Sequence, residues 1–330
     1  GLDAEGSSIS INYAAKVTGR VNKFNIGMLH VNERRESGNA NSSVARVSYN
    51  LGELSSIGMI TTYGNAINEL DNLTTGIDLN LATAKFKGNK SLALKLYGIK
   101  SHTEDIQGKD AAWGAQILYP NDFISFKIGH QQIGKNFLAG LGFVPRTDIK
   151  EYWGEITIGP RINKFGVRQI SFGGEFNYVT NFSNQLQSQS LEIQPFEIRL
   201  NSGDIFGYSL ERVSEYLVED FNIFNDFVIP ANNYKWWENK IEIETSGARD
   251  VFGEVSYSVG NFFTGRKNSV NVELNWKVFV PLFIGGEVTL DRVSLPDGNF
   301  KADIYQFNLI ILFSPNITLY NLLQYDSQSE

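Results

Sequence analysis

The residues that could do chemistry in this sequence are few and far apart. Three histidines are present: His30, His102 and His130. His102 has acidic neighbours that could help it bind a cation in a loop, namely Glu104, Asp105 and Asp110, although a solvated run of charges explains the same residues. The sequence contains neither the GxSxG pattern of serine hydrolases nor the HExxH pattern of zinc proteases. We therefore do not expect a histidine-based active site.

Paired carboxylates are the other route to catalysis, because one can act as the acid and the other as the base. Glu242 and Glu244 form such a pair, but they stand where a strand that alternates polar and apolar residues would put them anyway. The chain has no cysteine, which excludes thiolate catalysis, disulfides and Cys-ligated metals. We expect neither enzymatic activity nor a cofactor.

Alternation of polar and apolar residues is the dominant pattern along the chain. It is clearest in 270–278, where Val, Leu and Trp alternate with Asn, Glu and Lys. The same two-residue period appears in 45–51, 77–82 and 305–313 and predicts strands with one apolar and one polar face. The alternation changes phase at Gln194 and Pro195, which predicts a β-bulge. Helical spacing is nearly absent.

The number and length of these segments point to a membrane protein. We count about 18 of them, each roughly 9 to 14 residues long, against about 9 to 11 residues for a tilted strand that crosses a bilayer. Strands of soluble sandwiches are usually shorter, at about 5 to 6 residues. The prediction is an all-β fold, a large antiparallel up-and-down transmembrane β-barrel, with residues 1–330 as a single domain. The polar residues of each strand, such as Glu273, would then line a wet lumen.

The connections between the predicted strands alternate between short and long. Tight turns are predicted at positions such as 22–23, 88–89 and 202–203, a longer loop is predicted at 33–42, and the longest connections are 133–150 and 214–233. Outer-membrane barrels have short periplasmic turns and long outer loops. On that basis both termini would lie outside, so we expect a fragment that lacks a strand at each end of a barrel of about 20 strands.

Composition bounds the possible partners. The 330 residues carry a net charge of −7 with no cluster of Lys and Arg, which argues against nucleic acid. No apolar run approaches the roughly 20 residues of a transmembrane helix, and no signal peptide opens the chain. Aromatic residues at predicted strand ends could be ordinary core residues or could form the rings found at membrane interfaces: Tyr119, Tyr152, Trp153, Trp236 and Trp237. The expected partners are outer-membrane lipid and lipopolysaccharide.

Several short blocks resemble the recurring blocks of a known family of outer-membrane barrels. They are residues 14–21, 76–81, 141–146 and 321–325, and the LGFVPR block at 141–146 is the most specific. That family is a domain of unknown function, commonly found behind a carbohydrate-binding module similar to family nine. The resemblance implies an outer-membrane location in a Gram-negative cell and a sugar-binding-like domain upstream. It brings no catalytic residues.

The first long connection contains an apolar segment that interrupts the alternation of polar and apolar residues. Its notable residues are Phe137, Leu141, Phe143, Val144, Pro145, Arg146 and Asp148. Exposed apolar surface costs about 25 cal/mol per Å², so the segment should pack against something. Our preferred hypothesis is a constriction or partial plug inside the lumen, in which Pro145 fixes the turn and Arg146 pairs with lumen carboxylates. The alternatives are a lid on neighbouring loops, with Arg146 and Asp148 bridging locally, and a contact with another protein.

The second long connection is acidic and aromatic. Phe221, Phe224 and Phe227, with Trp236 and Trp237 at its edge, could dock a partner such as another envelope protein or a glycan. A second insertion into the lumen and a loop that packs on itself are equally open.

Three functions remain. The first is a channel or gated uptake protein, which the polar faces favour. The second is a plugged structural barrel that anchors a sugar-binding domain or belongs to a larger envelope or secretion assembly. The third, a soluble all-β binding protein, is disfavoured by the strand lengths.

Overall fold

The computed structural model describes residues 9–35, 38–65, 70–104, 106–224 and 227–327. Within these ranges the fold is all-β, with 21 strands, of which 19 belong to one large sheet and two form a separate hairpin. Throughout the part of the chain that the structure describes, no helix is long and apolar enough to cross a membrane.

The strands of the first half are β1 (Ser10–Val21), β2 (Phe24–Arg35), β3 (Gly38–Asn50), β4 (Ser56–Tyr63), β5 (Asn72–Phe86), β6 (Lys90–Thr103), β7 (Ala111–Pro120), β8 (Ile124–Ile133), β9 (Ile149–Ile158), β10 (Arg161–Lys164) and β11 (Val167–Asn181). Those of the second half are β12 (Leu186–Leu200), β13 (Ile205–Tyr216), β14 (Phe221–Phe224), β15 (Phe227–Ile229), β16 (Asn233–Glu244), β17 (Val251–Phe262), β18 (Gly265–Phe279), β19 (Leu282–Leu295), β20 (Gly298–Ser314) and β21 (Ile317–Asp326).

The chain divides into two compact units. The first unit is Gly1–Asn121, Ser125–Gly154 and Tyr178–Leu186, and the second is Asp122–Ile124, Glu155–Asn177 and Gln187–Glu330. In the first unit each strand from β1 to β7 pairs antiparallel with the next one. In the second unit the same up-and-down order runs from β12 to β13 and from β13 through β16 to β21.

The predicted number of about 18 strands is confirmed when one interrupted strand is counted once. Strands β9 and β10 both pair with β11 and are separated by Gly159 and Pro160. Proline has no N–H to donate, so the ladder breaks there and resumes with Arg161. Counted as one interrupted strand, β9 and β10 leave 18 strands in the large sheet. The predicted bulge is present too, because the register between β12 and β13 shifts between Ile193 and Phe196.

Alternation gives every strand two faces, and the register keeps like faces together. Val272 lies opposite Val255 on β17 and Val288 on β19, whereas the next residue, Glu273, lies opposite glutamates on both strands. Directly opposed residues point to the same side of a sheet. We call the side that bears Val272 and its equivalents the apolar face, and the side that bears Glu273 and its equivalents the polar face.

The predicted alternation of short and long connections is wrong in its strict form. Residues 33–42, expected to be a loop, belong mostly to β2 and β3, which reach Arg35 and start again at Gly38. The connections at 182–185, 263–264 and 296–297 are short as well. The strands extend beyond their apolar residues because backbone pairing continues through polar positions, where Asn32 Nδ2 also donates to Asn41 Oδ1 at 2.8 Å. The connections at 134–148 and 217–232 are long, as expected.

Candidate functional site

The polar face of the first unit carries linked charged and amide side chains. Arg46 on β3 forms an ion pair with Asp78 on β5, with Nη2 and Oδ2 at 2.8 Å. Farther along the unit, the Tyr97 hydroxyl donates to Gln131 Oε1 at 2.8 Å, and Gln131 Nε2 donates to Glu151 Oε2 at 2.5 Å. Such a face requires water or other polar groups opposite it.

The polar face of the second unit is strongly acidic. One row of directly opposed glutamates runs across three strands through Glu192, Glu211 and Glu238. A second row crosses four strands and consists of Glu244, Glu254, Glu273 and Glu287. Opposed side chains in an antiparallel pair have Cβ atoms about 4.5–5.5 Å apart, so each row is a line of close negative charges.

Neutral amide side chains donate hydrogen bonds to some of the carboxylates on this acidic face. Asn271 Nδ2 donates to Glu287 Oε1 at 2.7 Å, and Asn275 Nδ2 donates to Glu273 Oε1 at 2.6 Å. Lys240 forms an ion pair with Glu242 on the same strand. Amide donors stabilise carboxylates without cancelling their charge, so the face keeps a negative field.

The apolar face exposes large hydrophobic side chains along its whole length, among them Ile77, Leu274 and Leu323. Soluble monomers rarely expose continuous apolar surface on this scale, whereas a strand in a bilayer turns such a face to lipid. Aromatic side chains lie near the strand ends. In the first unit the rings follow one another in a row, with centroids at 4.3–6.4 Å: Trp113, His130, Tyr152 and Tyr178.

The five aromatic residues that could be core residues or interfacial rings divide between the two faces. Tyr119 stacks on Phe126 at 5.3 Å, and Tyr152 belongs to the row just described; both lie on the apolar face. Trp237, on the same face, is 43% exposed and stacks with Arg212. Trp153 and Trp236 lie on the polar face because neighbouring residues of a strand point to opposite sides, so the interfacial-ring alternative is wrong for these two.

The connection 134–148 folds onto the polar face of the first unit, where side chains of β5 and β6 hold its backbone. Asn72 on β5 is 0% exposed. Its Nδ2 donates to the Leu138 carbonyl at 3.0 Å, and its Oδ1 accepts from the Gly140 amide at 3.1 Å. Ser101 Oγ accepts from the Leu138 amide at 3.1 Å, so both backbone groups of Leu138 are satisfied by strand side chains.

A small apolar cluster fixes the same connection. Phe137 is 6% exposed. It packs with four buried residues of the strands around it and with two partly buried residues of its own connection: Ala112, Ile133, Ile149, Val179, Ala139 and Val144. The structure thus brings together two of the predicted residues, Phe137 and Val144.

The other predicted residues of this connection lie outside the cluster. Phe143 is 86% exposed, so its ring is largely uncovered by the described residues. Pro145 and Arg146 are exposed and Leu141 is half-buried. Asp148 is half-buried too and has a left-handed backbone with φ of 58°, just before β9 begins.

The connection 217–232 contains the β14–β15 hairpin, which packs on the polar face of the second unit. Its Ile229 is buried with Tyr234, Trp236, Val293 and Leu295. Phe227 reaches Phe300 on β20, with ring centroids at 5.2 Å. Two bonds close the connection on itself, from the Tyr234 hydroxyl to the Pro230 carbonyl at 2.7 Å and from the Ala231 amide to Asp220 Oδ1 at 2.8 Å.

The residues predicted to dock a partner in this connection are therefore in different settings. Trp236 is 9% exposed inside the cluster, and Phe227 is half-buried beside it. Phe221 is exposed at the start of the hairpin, and Phe224 ends β14. Trp237 lies on the apolar face, away from the hairpin.

Sequence reasoning missed the residues that hold the first connection. Asn72 and Ser101 read as ordinary polar positions of strands, and their partners lie 66 and 37 residues away in the sequence. The available signal was a run of small polar residues at alternating positions: Asn72, Thr74, Ser101 and Thr103. These four are buried, as polar residues at strand ends are when another segment covers them.

The possible cation site near His102 does not assemble in the described structure. His102 is exposed, and Asp110 lies 3.8 Å from Lys100 Nζ. Asp105 falls outside the described residues. Among the residues that the structure does describe, no group of three or more His, Cys, Asp or Glu is arranged to hold a metal ion.

The fold is that of the outer-membrane β-barrels. OpdK, an outer membrane protein of Pseudomonas aeruginosa, aligns with a TM-score of 0.53 and 11% identity over 94% of this chain and 92% of its own. OccK10 (OpdN) of the same species aligns at 0.52 and 9% identity, over 91% and 92%. The ferric-catecholate import receptor Fiu of E. coli K12 aligns at 0.51 and 10% identity, over 97% of this chain and 66% of the receptor.

At sequence identities this low, the alignments show similarity of fold and nothing more. No protein-family model matches the sequence. No curated protein matches it either. The resemblance to a barrel family with an upstream sugar-binding module accordingly stays a prediction.

Proposed function

We propose that this chain is an outer-membrane channel or uptake barrel of a Gram-negative cell. The observation that carries the proposal is the division of the sheet into two faces of opposite character. The apolar face has the exposed hydrophobic surface and aromatic rows that suit a bilayer. The polar face has charged rows that need water, which a barrel of about 18 strands has room to contain.

The acidic rows suggest which solutes pass. Seven glutamates line the polar face of the second unit in two rows. Fixed negative charge along a water-filled path raises the local concentration of cations and repels anions. We therefore propose that the lumen favours cations and cationic solutes.

The two long connections suggest how the path is restricted. Both pack on the polar face, the first through Asn72 and Phe137 and the second through Ile229 and Trp236. In a barrel this side is the lumen, so each connection narrows the path near one end. The arrangement favours the constriction hypothesis for 134–148 over a lid or a partner contact. Exposed Phe143 would then stand free in the remaining opening.

The same packing supports the second candidate function, a plugged barrel that serves as an anchor or as a subunit of a larger envelope assembly. If the two connections close the lumen, nothing passes and the protein acts through its partners. A sugar-binding domain or a glycan would be such a partner.

Planar-bilayer conductance of the folded, heat-modifiable protein tests both candidates. Discrete steps with a preference for cations support the channel. Silence in bilayers where insertion is verified would overturn it and favour the anchor. A variant lacking 138–144 separates a closed channel from a structural plug: it should conduct more than the intact chain if the connection is a constriction. Unchanged conductance in the deletion would contradict the constriction.

A further inference from the structure

The polar face of the second unit contains a cavity of about 300 Å³. Strands β17 to β21 line it, at the strand ends joined by the connections 280–281 and 315–316. Four of its lining side chains are apolar or aromatic and two are amides: Phe252, Phe283, Ile310, Tyr320, Asn275 and Asn308. We call this space the aromatic cavity.

The register of the strands shows that the aromatic cavity lies on the polar face. Asn275 is two residues from Glu273, which defines that face, so the two side chains point to the same side. Asn275 lies opposite Phe252 on one side and Gly285 on the other. Gly285 in turn lies opposite Asn308. The remaining lining residues continue these rows two residues farther along their strands: Phe283, Ile310 and Tyr320.

Gly285 forms the floor of the aromatic cavity. It is buried, and a Cβ at this position would lie 2.7 Å from Asn275 Oδ1 and 3.6 Å from Asn308 Cβ. Two amide side chains therefore lean over a position that has no side chain of its own. Tyr320 is 60% exposed, so most of its ring is accessible to a solute. An apolar space with a few polar groups that fix orientation is the usual composition of a small-molecule site.

The β14–β15 hairpin does not cover the aromatic cavity. It packs at the other end of the strands, where Ile229 is buried with Val293 and Leu295 near the end of β19. Phe283 lies near the start of the same strand. Val293 and Phe283 are separated by roughly 30 Å along the strand, so the cavity stays open when the hairpin is docked.

Carboxylates border the aromatic cavity on one side. Glu254, Glu273 and Glu287 lie directly opposite one another in turn, and each is two residues, about 7 Å, from a residue that lines the cavity. Asn275 connects the two regions, because its Nδ2 donates to Glu273 Oε1 at 2.6 Å and its Oδ1 lies over Gly285. Opposed like charges favour a cation that lies between them.

Lys277 also adjoins the aromatic cavity, but its ammonium is engaged at the far side. It lies 5.0 Å from the centroid of the Phe252 ring and donates to the Gly247 carbonyl. Four residues of β18, about 13 Å, separate Lys277 from Glu273. The field at the side of the cavity next to the glutamates is therefore negative.

We propose that the aromatic cavity binds an aromatic amine, with the ring above Gly285 and the ammonium group beside Glu273 and Glu287. This inference rests on the proposed function, because it names a class of solute for the cation-favouring lumen. The rings of Phe283 and Tyr320 offer offset or edge-to-face packing to an aromatic solute. The ring and the charge of the solute then each meet a complementary surface, and the two surfaces are about 7 Å apart.

Binding of phenethylamine to the folded full chain in detergent tests the proposal, measured by isothermal titration calorimetry with protein-free micelles as the baseline. Ethylamine supplies the charge without the ring, and phenethyl alcohol supplies the ring without the charge. Wild type should bind phenethylamine about tenfold more tightly than either analogue. Equal affinity for phenethyl alcohol would overturn the role of the glutamates, and equal affinity for ethylamine would overturn the role of the cavity.

Two neighbouring glycines provide a variant and its matched control. Gly285→Val fills the floor of the cavity and should lower the affinity for phenethylamine about tenfold. Gly286→Val makes the same change on the apolar face, between Leu274 and Phe307, where a Cβ would meet the Gln306 carbonyl at an ordinary 3.5 Å. It should bind phenethylamine like wild type. Wild-type affinity in Gly285→Val, or equal losses in both variants, would overturn the proposal. If Gly285→Val fails to fold, the three probes on wild type decide the question.

The outcome is separable from that of the proposed function. Folded wild type that inserts and conducts but does not prefer phenethylamine over its two analogues defeats this inference alone. Folded wild type that binds phenethylamine through the cavity but stays silent in bilayers where insertion is verified defeats the channel and leaves the ligand site.

Discussion

Glu254 on β17 and Glu273 on β18 lie directly opposite each other on the polar face. Each also faces a further glutamate, because Glu244 opposes Glu254 and Glu287 opposes Glu273. A folded protein keeps so many opposed like charges at a cost to its stability. In the proposed lumen, that cost is explained by the negative field that the row provides.

The variant Glu254→Gln/Glu273→Gln is expected to weaken the preference of the channel for cations. It removes two charges from the middle of the four-residue row while keeping side-chain size and hydrogen-bonding capacity. The reversal potential of single channels in a KCl gradient measures the change and should move toward zero. The free energy of unfolding should rise by about 0.2–1 kcal/mol for the relieved pair.

Two glutamates away from the polar face provide the control. Glu53 and Glu219 lie exposed in connections, so Glu53→Gln/Glu219→Gln makes the same change in net charge without touching either row. Its reversal potential should match that of wild type. If the two double variants move the potential equally, net charge and not the row sets selectivity.

Asn72→Ala is expected to release the connection 134–148. The substitution leaves the Gly140 amide without its acceptor and removes the closer of the two side-chain donors to the Leu138 carbonyl, Thr74 remaining at 3.4 Å. Leaving buried backbone groups unsatisfied costs about 1–3 kcal/mol each, enough to undock the segment. Limited proteolysis should then cut within 134–148, and channel conductance should increase.

Asn80→Ala is the matched control because Asn80 lies on the polar face of the same strand. Its amide donates to the Leu54 carbonyl at 2.9 Å, toward the short turns. Proteolysis and conductance should stay as in wild type. A connection that remains protected in Asn72→Ala would show that the Phe137 cluster and the Ser101 bond hold it without Asn72.

Strand composition and number could be predicted because a period of two residues is a local signal. The alternation at 270–278 fixes both faces of β18 without knowledge of any other strand. The same rule exposes an error: Tyr152 with Trp153, and Trp236 with Trp237, are adjacent in sequence and cannot all face lipid. Applied to each residue, the period alone would have assigned Trp153 and Trp236 to the polar face.

Contacts of the long connections could not be predicted because they depend on residues distant in sequence. The Asn72–Leu138 hydrogen bond joins residues 66 positions apart, and no sequence pattern near either residue predicts it.

The ends of strands were predicted wrongly for a different reason. Residues such as Asn39 and Asn41 look like a loop, yet backbone pairing continues through them because ladder bonds do not depend on side-chain polarity.

Gly129→Ala is expected to destabilise the first unit through Trp153. A Cβ at Gly129 would overlap Trp153 Cζ2, so the indole would have to move from its place across the strand. Overpacking of this kind costs about 1–3 kcal/mol. Thermal unfolding in detergent, followed by circular dichroism, should show a lower midpoint. In a Trp153→Leu background the same glycine substitution should cost less.

Gly98→Ala controls for the general effect of replacing a strand glycine by alanine. Gly98 lies within β6, and a Cβ there would meet no atom within 4 Å. Its midpoint should equal or exceed that of wild type, since alanine restricts the unfolded chain more than glycine does. A fall equal to that of Gly129→Ala would contradict a specific clash with Trp153.

The turn between β12 and β13 should make stability depend on pH. Asp204 accepts from the Arg249 guanidinium, with Nη2 at 2.7 Å, from the Ser246 amide at 2.9 Å and from the Ser202 hydroxyl at 2.8 Å. Hydrogen bonds from Arg249, then from Ser246 and Ser202, hold the pKa of Asp204 well below its ordinary value. A carboxylate with a depressed pKa stabilises the fold above the unfolded-state value of about 3.9 and loses that contribution as the pH falls through the folded-state pKa.

Asp204→Asn should therefore lower the unfolding midpoint relative to wild type above about pH 5, and the difference should shrink below about pH 4. Circular dichroism melts in detergent across this range measure it. Asp250→Asn is the control, because Asp250 lies exposed just before β17, and its side chain makes no hydrogen bond or ion pair to the described residues. A difference between wild type and Asp204→Asn that stays constant down to low pH would mean that Arg249 is held by geometry and not by the charge of Asp204.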